Sequence, residues 1–259
     1  MTTIYDCSAE ADLLTGMRLA RGAIGRGELV VIPTDTVYGL AADAFSPKAV
    51  QRLLDAKGRG RTSPPPVLIP GVPTLDALAR DVPDTVRQLV EAFWPGGLTV
   101  VLHAQPSLQW DLGETRGTVA LRMPSHRIAL ELLSETGPLA VSSANLTGRP
   151  AASTAQEAEA MLGESVAIYL DGGPAGTGYE AVGERPGDLS STIVDATGGV
   201  LRVVRAGVIT REALVDVVGE AAFIDAGAEA GAGAGADADA GAGAGARDAA
   251  ETDDEASVS

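Results

Sequence analysis

The sequence predicts an α/β protein, because amphipathic helical stretches alternate with short apolar runs along most of its length and 45% of its 259 residues are hydrophobic. Polar loops leave several of those apolar runs, and loops at strand ends are where proteins of this class place ligands. The length suits one large domain or two small ones.

Ser8 can cap a first helix with Leu13, Met17, Ala20 and Ile24 on one face, closed by Gly25 and Gly27 before an apolar strand from Leu29 to Ile32. Pro33 removes a ladder donor and ends that strand, so residues 34–39 begin a loop at its C-terminal end. Ser46 and Pro47 form a cap and first-position pair for a second helix, with Val50, Leu53 and Leu54 inward and a stop at Gly58. Val67 to Ile69 reads as a strand, Asp84 to Phe93 as a helix ended by Pro95, and Leu98 to Leu102 as a strand. Thr118 to Arg122 is another strand, Ser125 caps a helix from His126 to Leu133, and Leu139 to Ser142 returns as a strand into the polar loop Ser143 to Pro150. Ser153 and Gln156 have capping-box spacing for a helix ending near Gly163, followed by a strand from Val166 to Leu170. The glycine-rich stretch Asp171 to Gly187 reads as a mobile surface segment. It leads to strands at Thr192 to Val194 and Leu201 to Arg205, and Thr210 caps a last helix whose periodicity fades after Val218.

Residues 1–219 form the expected folded domain, and residues 220–259 an acidic Ala/Gly/Asp-rich tail with nothing to pack, expected to be disordered. The tail holds ten acidic residues against Arg247, so it carries −9 of the formal −16 and leaves −7 on the body. An acidic body argues against nonspecific nucleic-acid binding, which needs a broad cationic face. Cys7 is the single cysteine, the N-terminal residues lack a secretory pattern, and no stretch approaches the ~20 apolar residues of a membrane helix, so a cytoplasmic enzyme without membrane attachment is expected. With two histidines, no metal site is expected, and His103 and His126 read as structural.

Three groups could carry chemistry. Lys57-Gly58-Arg59-Gly60-Arg61 places three solvent-facing cations beside two glycines, able to approach phosphate or carboxylate; a helix C-terminus that favours cations accounts for the cluster equally well. Ser142, Ser143, Asn145, Thr147 and Gly148 form a polar loop directly after an apolar strand, suited to a nucleotide or to an ordinary turn. Arg122 leaves a strand end, where a cation can clamp a carboxylate or simply face solvent. No phosphate-loop, dinucleotide, H-E-x-x-H or paired C-x-x-C motif occurs, so ATP, if used, is held another way.

Seven segments in order resemble the YrdC-like family of threonylcarbamoyl-AMP synthases. Residues 33–40 resemble P-T-(E/D)-T-x-Y-G-L, Lys57-Gly58-Arg59 resembles K-x-R, and residues 94–99 resemble W-P-G-x-L-T. Arg122-Met123-Pro124 with His126 resembles R-x-P-x-H, and Ser143-Ala144-Asn145 with Gly148 resembles S-x-N-x-(S/T)-G. Residues 191–195 read S-T-I-V-D, and Arg205-Ala206-Gly207 resembles R-x-G. The resemblance implies one twisted, mixed β-sheet with surrounding helices and a deep concave cationic cavity. It also implies joining of L-threonine, bicarbonate and ATP into threonylcarbamoyl-AMP and pyrophosphate, for the threonylcarbamoyl modification of adenosine 37 in tRNA.

Carried over by position, threonine would be bound by Thr36, Arg122 and Ser191, and ATP by Arg59, Ser63, Thr118, Ser143, Asn145 and Arg205. Lys57 and Arg59 would be catalytic, facing bicarbonate and phosphates with a Mg2+ ion as further counter-charge. The implied partners are a downstream tRNA threonylcarbamoyl transferase complex and a weak contact with RNA. The family commonly reads P-L-I-V-H after the K-x-R loop, whereas Pro66-Val67-Leu68-Ile69-Pro70 offers no histidine. Two alternatives stay open: a carbamoyltransferase working through carbamoyl-AMP, and a noncatalytic RNA-binding module, which the acidic body opposes.

Overall fold

The computed structural model describes residues 3–179 and 189–223. Its strands are β1 (Thr3–Asp6), β2 (Val30–Ile32), β3 (Gly39–Asp43), β4 (Val67–Leu68), β5 (Leu98–His103), β6 (Thr118–Arg122), β7 (Leu139–Ser143), β8 (Ile168–Asp171), β9 (Thr192–Asp195) and β10 (Arg202–Arg205). All ten join one sheet in the order β1-β8-β2-β3-β7-β4-β6-β5-β9-β10. Pairing is mixed: β1 with β8, β8 with β2, β4 with β6 and β5 with β9 are parallel, and the remaining neighbours antiparallel.

Both faces of the sheet are covered, and the alternation of each strand divides its side chains between them. Val30, Ile32 and Ala41 enter a core with α1 (Glu10–Gly25) and α5 (Arg127–Thr136). Their neighbours Val31, Leu40 and Ala42 enter another with α2 (Pro47–Lys57) and α6 (Ala155–Leu162). A third core gathers α3 (Val72–Leu78), α4 (Asp84–Phe93) and α7 (Arg211–Val218) against β4, β5, β6 and β9.

The punctuation read from sequence sets several boundaries. Ser46 Oγ accepts the Ala49 amide at 3.4 Å with Pro47 opening α2. Gly58 closes that helix in the left-handed region (φ 62°), which favours glycine. Thr210 caps α7 by accepting the Ala213 amide at 3.1 Å. Other expectations shift. Ser8 Oγ donates to Asp6 Oδ1 at 2.7 Å and leaves Ala9 at the start of α1 without a side-chain cap. The capping box of α6 lies one residue later, with Thr154 accepting the Glu157 amide and Glu157 accepting the Ser153 amide. Ser125 caps nothing; its amide donates to Asp35 Oδ1 at 2.9 Å.

Four residues expected in the disordered tail carry structure instead. Residues 220–222 form a 3-10 turn, and Phe223 is buried beside Leu201 and under the Arg211 guanidinium. The parts of the glycine-rich segment and the tail at 180–187 and 224–259 lie outside the described residues. No helix among the described residues is long and apolar enough to cross a membrane.

Candidate active site

Pro33 closes β2 and the chain turns at once. Thr34 Oγ1 donates to the Val37 carbonyl at 2.5 Å and accepts the Thr36 amide at 3.2 Å, a side-chain turn that fixes the loop. The turn brings Asp35 and Thr36 to the end of β6. There the buried Arg122 donates from Nε to the Gly96 carbonyl and from Nη1 to Thr36 Oγ1, and pairs through Nη2 with Asp35 Oδ1, each at 2.9 Å. A desolvated cation costs several kcal/mol unless paired, and Asp35 is the pairing charge. Asp35 fills the E/D position of the motif over residues 33–40, and that was the sequence signal of its role. Next to it, burial lowers the His126 pKa more than the Asp35 charge raises it.

Residues 94–99 join two parts of the site. While the Gly96 carbonyl holds Arg122, the Gly97 carbonyl accepts the Thr192 amide at 2.9 Å. Two residues on, Thr99 Oγ1 lies 2.9 Å from Ser191 Oγ with both residues buried. Arg205, on β10, donates through Nε and Nη2 to the Ser191 carbonyl at 3.0 and 2.7 Å, and through Nη2 to Ser191 Oγ at 2.8 Å. The sequence-derived residues Thr36, Arg122, Ser191 and Arg205 are therefore linked by one short backbone stretch. Thr99, which orients Ser191, was not singled out from sequence, although its motif was.

A second constellation surrounds the end of α2. Lys57 is 1% exposed, which corrects the expectation of a solvent-facing loop cation. Its ammonium donates to the Ser143 carbonyl at 2.5 Å, the Asn145 carbonyl at 2.7 Å and Asn145 Oδ1 at 3.0 Å. Asn145 in turn donates from Nδ2 to the Arg149 carbonyl at 2.5 Å. Lys57 thus braces the loop after β7. The half-exposed Arg59 reaches Ser142 Oγ at 3.5 Å. Pairing of Gly39 with Ser143 and of Leu40 with Ser142 ties this loop to the strand that follows Thr36.

Ser63 is buried where the 58–66 connection turns toward β4. Thr118 begins β6 and Arg122 ends it, so the two stand about 13 Å apart along the strand. Thr118 lines a shallow cleft with Pro64, Pro65, Glu114, Arg116 and Val119, away from the Arg122 end. The proline pair connects that cleft with the basic loop.

Fold and site together define an α/β protein of one mixed sheet whose strand-end loops gather arginines, hydroxyls and a lysine-braced Ser-Asn turn. The Sua5/YciO/YrdC family model, described as "Telomere recombination", matches residues 22–207. The chain belongs to this family. A Mycobacterium tuberculosis relative (strain CDC 1551 / Oshkosh), named "Putative threonylcarbamoyl-AMP synthase", is 48% identical over 219 residues, covering 85% of this chain and 96% of the relative. A Pyrococcus abyssi threonylcarbamoyl-AMP synthase is 36% identical over 206 residues, covering 79% of this chain and 57% of the relative. The crystal structure of P. abyssi Sua5 complexed with L-threonine aligns with a TM-score of 0.73 at 32% identity, over 85% of this chain and 61% of that one.

Proposed function

We propose that the chain is a threonylcarbamoyl-AMP synthase, forming threonylcarbamoyl-AMP and pyrophosphate from L-threonine, bicarbonate and ATP. The observation that carries the reading is the rigid Arg122 guanidinium, held by Thr36, Asp35 and Gly96 in a chain 48% identical to a relative named for that activity. A guanidinium fixed on three sides still offers N–H groups on its terminal nitrogens, and a carboxylate is the natural ligand of that fork. Thr36 and Ser191 supply hydroxyls to the same amino acid, and Arg59, Ser63, Thr118, Ser143, Asn145 and Arg205 serve the nucleotide.

Bicarbonate takes up a proton and loses water to give CO2, the neutral threonine amine adds to its carbon and gives up a proton, and a carbamate forms. A carbamate oxygen then attacks the ATP α-phosphorus, and pyrophosphate leaves with the electrons of the broken P–O bond. No protein nucleophile is required. The chain's work is to hold the reactants in line and to meet negative charge as it develops. Arg59 and Arg205 supply that charge, and Lys57 fixes the Ser143-Asn145 loop in which the nucleotide sits.

No group of three or more His, Cys, Asp or Glu occurs among the described residues. A Mg2+ ion would enter on the ATP phosphates, where it neutralises charge. The adenylate product is unstable to water in principle, which suits direct delivery to a tRNA threonylcarbamoyl transferase complex in the cytoplasm.

The test is to incubate the protein with all three substrates and look for threonylcarbamoyl-AMP by mass. An adenylate that forms only with carbamoyl phosphate would select the carbamoyltransferase reading instead, and RNA binding without any adenylate would select the binding module.

A further inference from the structure

Tyr179 belongs to none of the motifs that carry the resemblance, yet its hydroxyl completes the Arg122 site. It donates to Asp35 Oδ2 at 3.0 Å, while Asp35 Oδ1 pairs with Arg122 Nη2 at 2.9 Å. The phenol oxygen stands against the Gly96-Gly97 backbone, and the Gly96 carbonyl accepts Arg122 Nε. Tyr179, Asp35, Arg122 and Gly96-Gly97 form a closed ring of contacts. The two glycines give the phenol its room: a Cβ on either would lie 3.3 Å from the phenol oxygen, and one on Gly96 only 2.6 Å from the Phe93 carbonyl.

The Arg122 and Asp35 side chains are 7% and 9% exposed, so water contributes little to their orientation. Apart from Arg122, Asp35 is held by the Ser125 amide on Oδ1 and by Tyr179 on Oδ2. Burial, aided by the Asp35 charge, pushes the phenol pKa up to about 12, so it remains a donor through the neutral range.

We propose that Tyr179 is a positioning residue for L-threonine binding: by holding the second oxygen of Asp35, it fixes the angle at which Arg122 presents its terminal nitrogens to the amino-acid carboxylate. The proposal rests on the assignment of Arg122 to that carboxylate. Without the hydroxyl, Asp35 keeps only the contacts of Oδ1 with Arg122 and the Ser125 amide, its carboxylate can swing about that oxygen, and Arg122 follows it. The contact is made alike in ground and transition states, so its loss raises KM for threonine and leaves kcat.

In Tyr179→Phe the KM for L-threonine rises roughly tenfold, the scale of a hydrogen bond to a charged group, while kcat changes by less than about twofold and the KM for ATP is unchanged. Tyr169→Phe serves as control, because that phenol donates to the Gly163 carbonyl at 2.8 Å on another part of the fold and its loss leaves all three constants in place. Combining Tyr179→Phe with Asp35→Asn adds nothing to Asp35→Asn alone. Calorimetric binding of L-threonine without ATP shows the same ratio between wild type and Tyr179→Phe. Wild-type constants in Tyr179→Phe, losses spread over kcat and the ATP KM, or full additivity with Asp35→Asn would each overturn the proposal. A wild type that binds threonine but makes no adenylate defeats the enzymatic reading alone, and the calorimetric ratio still decides the role of Tyr179. A wild type that binds no threonine defeats both.

Discussion

Lys57 and Arg59 stand two positions apart in the K-x-R segment, and their surroundings give them different duties. Lys57 lies inside, its ammonium distributed over Ser143 and Asn145 oxygens, whereas Arg59 is half-exposed with one long contact to Ser142. Replacing Lys57 by Met keeps the stem but strands buried acceptors, at roughly 1–3 kcal/mol. Lys57→Met therefore lowers the melting temperature as well as activity. Arg59→Ala removes a charge aimed at developing phosphate charge, so turnover falls about 100- to 1,000-fold while stability stays within ~0.5 kcal/mol. Thermal melts with pyrophosphate assays on both variants check this; equal stability losses would contradict the distinction. Sequence spacing named both residues but could not rank them. Their difference arises from a contact to a loop 86 positions away, and pattern within a window carries no information about such a partner. The same holds for Thr99 and Tyr179, whose roles depend on Ser191 and Asp35 across the sheet.

At the scale of elements, residues with strong local signals were placed well. Asp84–Phe93 and Thr118–Arg122 have the bounds that periodicity and Pro95 or Arg122 suggested. β3 was missed because Gly39, Leu40, Ala41 and Ala42 lack the β-branched residues that mark strands, and pairing with β2 and β7 overrides that weak propensity. β1 is four residues long and α3 seven, too short for a period to register. The β9–β10 pair adds a titratable tie. Burial alone would raise the Asp195 pKa, but hydrogen bonds from Thr197 and Arg202 outweigh it and hold the carboxyl below its ordinary 3.8. A depressed folded pKa stabilises above the unfolded value and ceases to do so as pH falls through the folded one. Asp195→Asn consequently melts lower than wild type at pH 7, and the two converge as the solution is acidified below about pH 3.8. A gap independent of pH would show that the charge contributes nothing.

For the whole molecule, the single mixed sheet gathers motifs scattered from Pro33 to Arg205 around two constellations, one at Arg122 and one at Lys57. The alternation of helices and strands announced the α/β class; the single mixed sheet followed only from the family resemblance and the strand order from neither, because long-range pairing is not encoded in any short segment. The folded part reaches further than periodicity indicated, since Phe223 closes the core beside Leu201 and Arg211. A chain ending after Phe223 should keep the melting temperature and activity of the full protein, whereas one ending after Val218 loses a buried aromatic and about 3–5 kcal/mol. Calorimetry of the two truncations separates these outcomes, and equal melting of both would contradict the packing argument.

The proposed chemistry requires one site to join an amino acid, a one-carbon acid and a nucleotide. Pyrophosphate release from ATP, measured with each substrate withheld in turn, tests it most directly. Release occurs only when L-threonine and bicarbonate are both present. Release that persists without threonine, or none with all three, would contradict it.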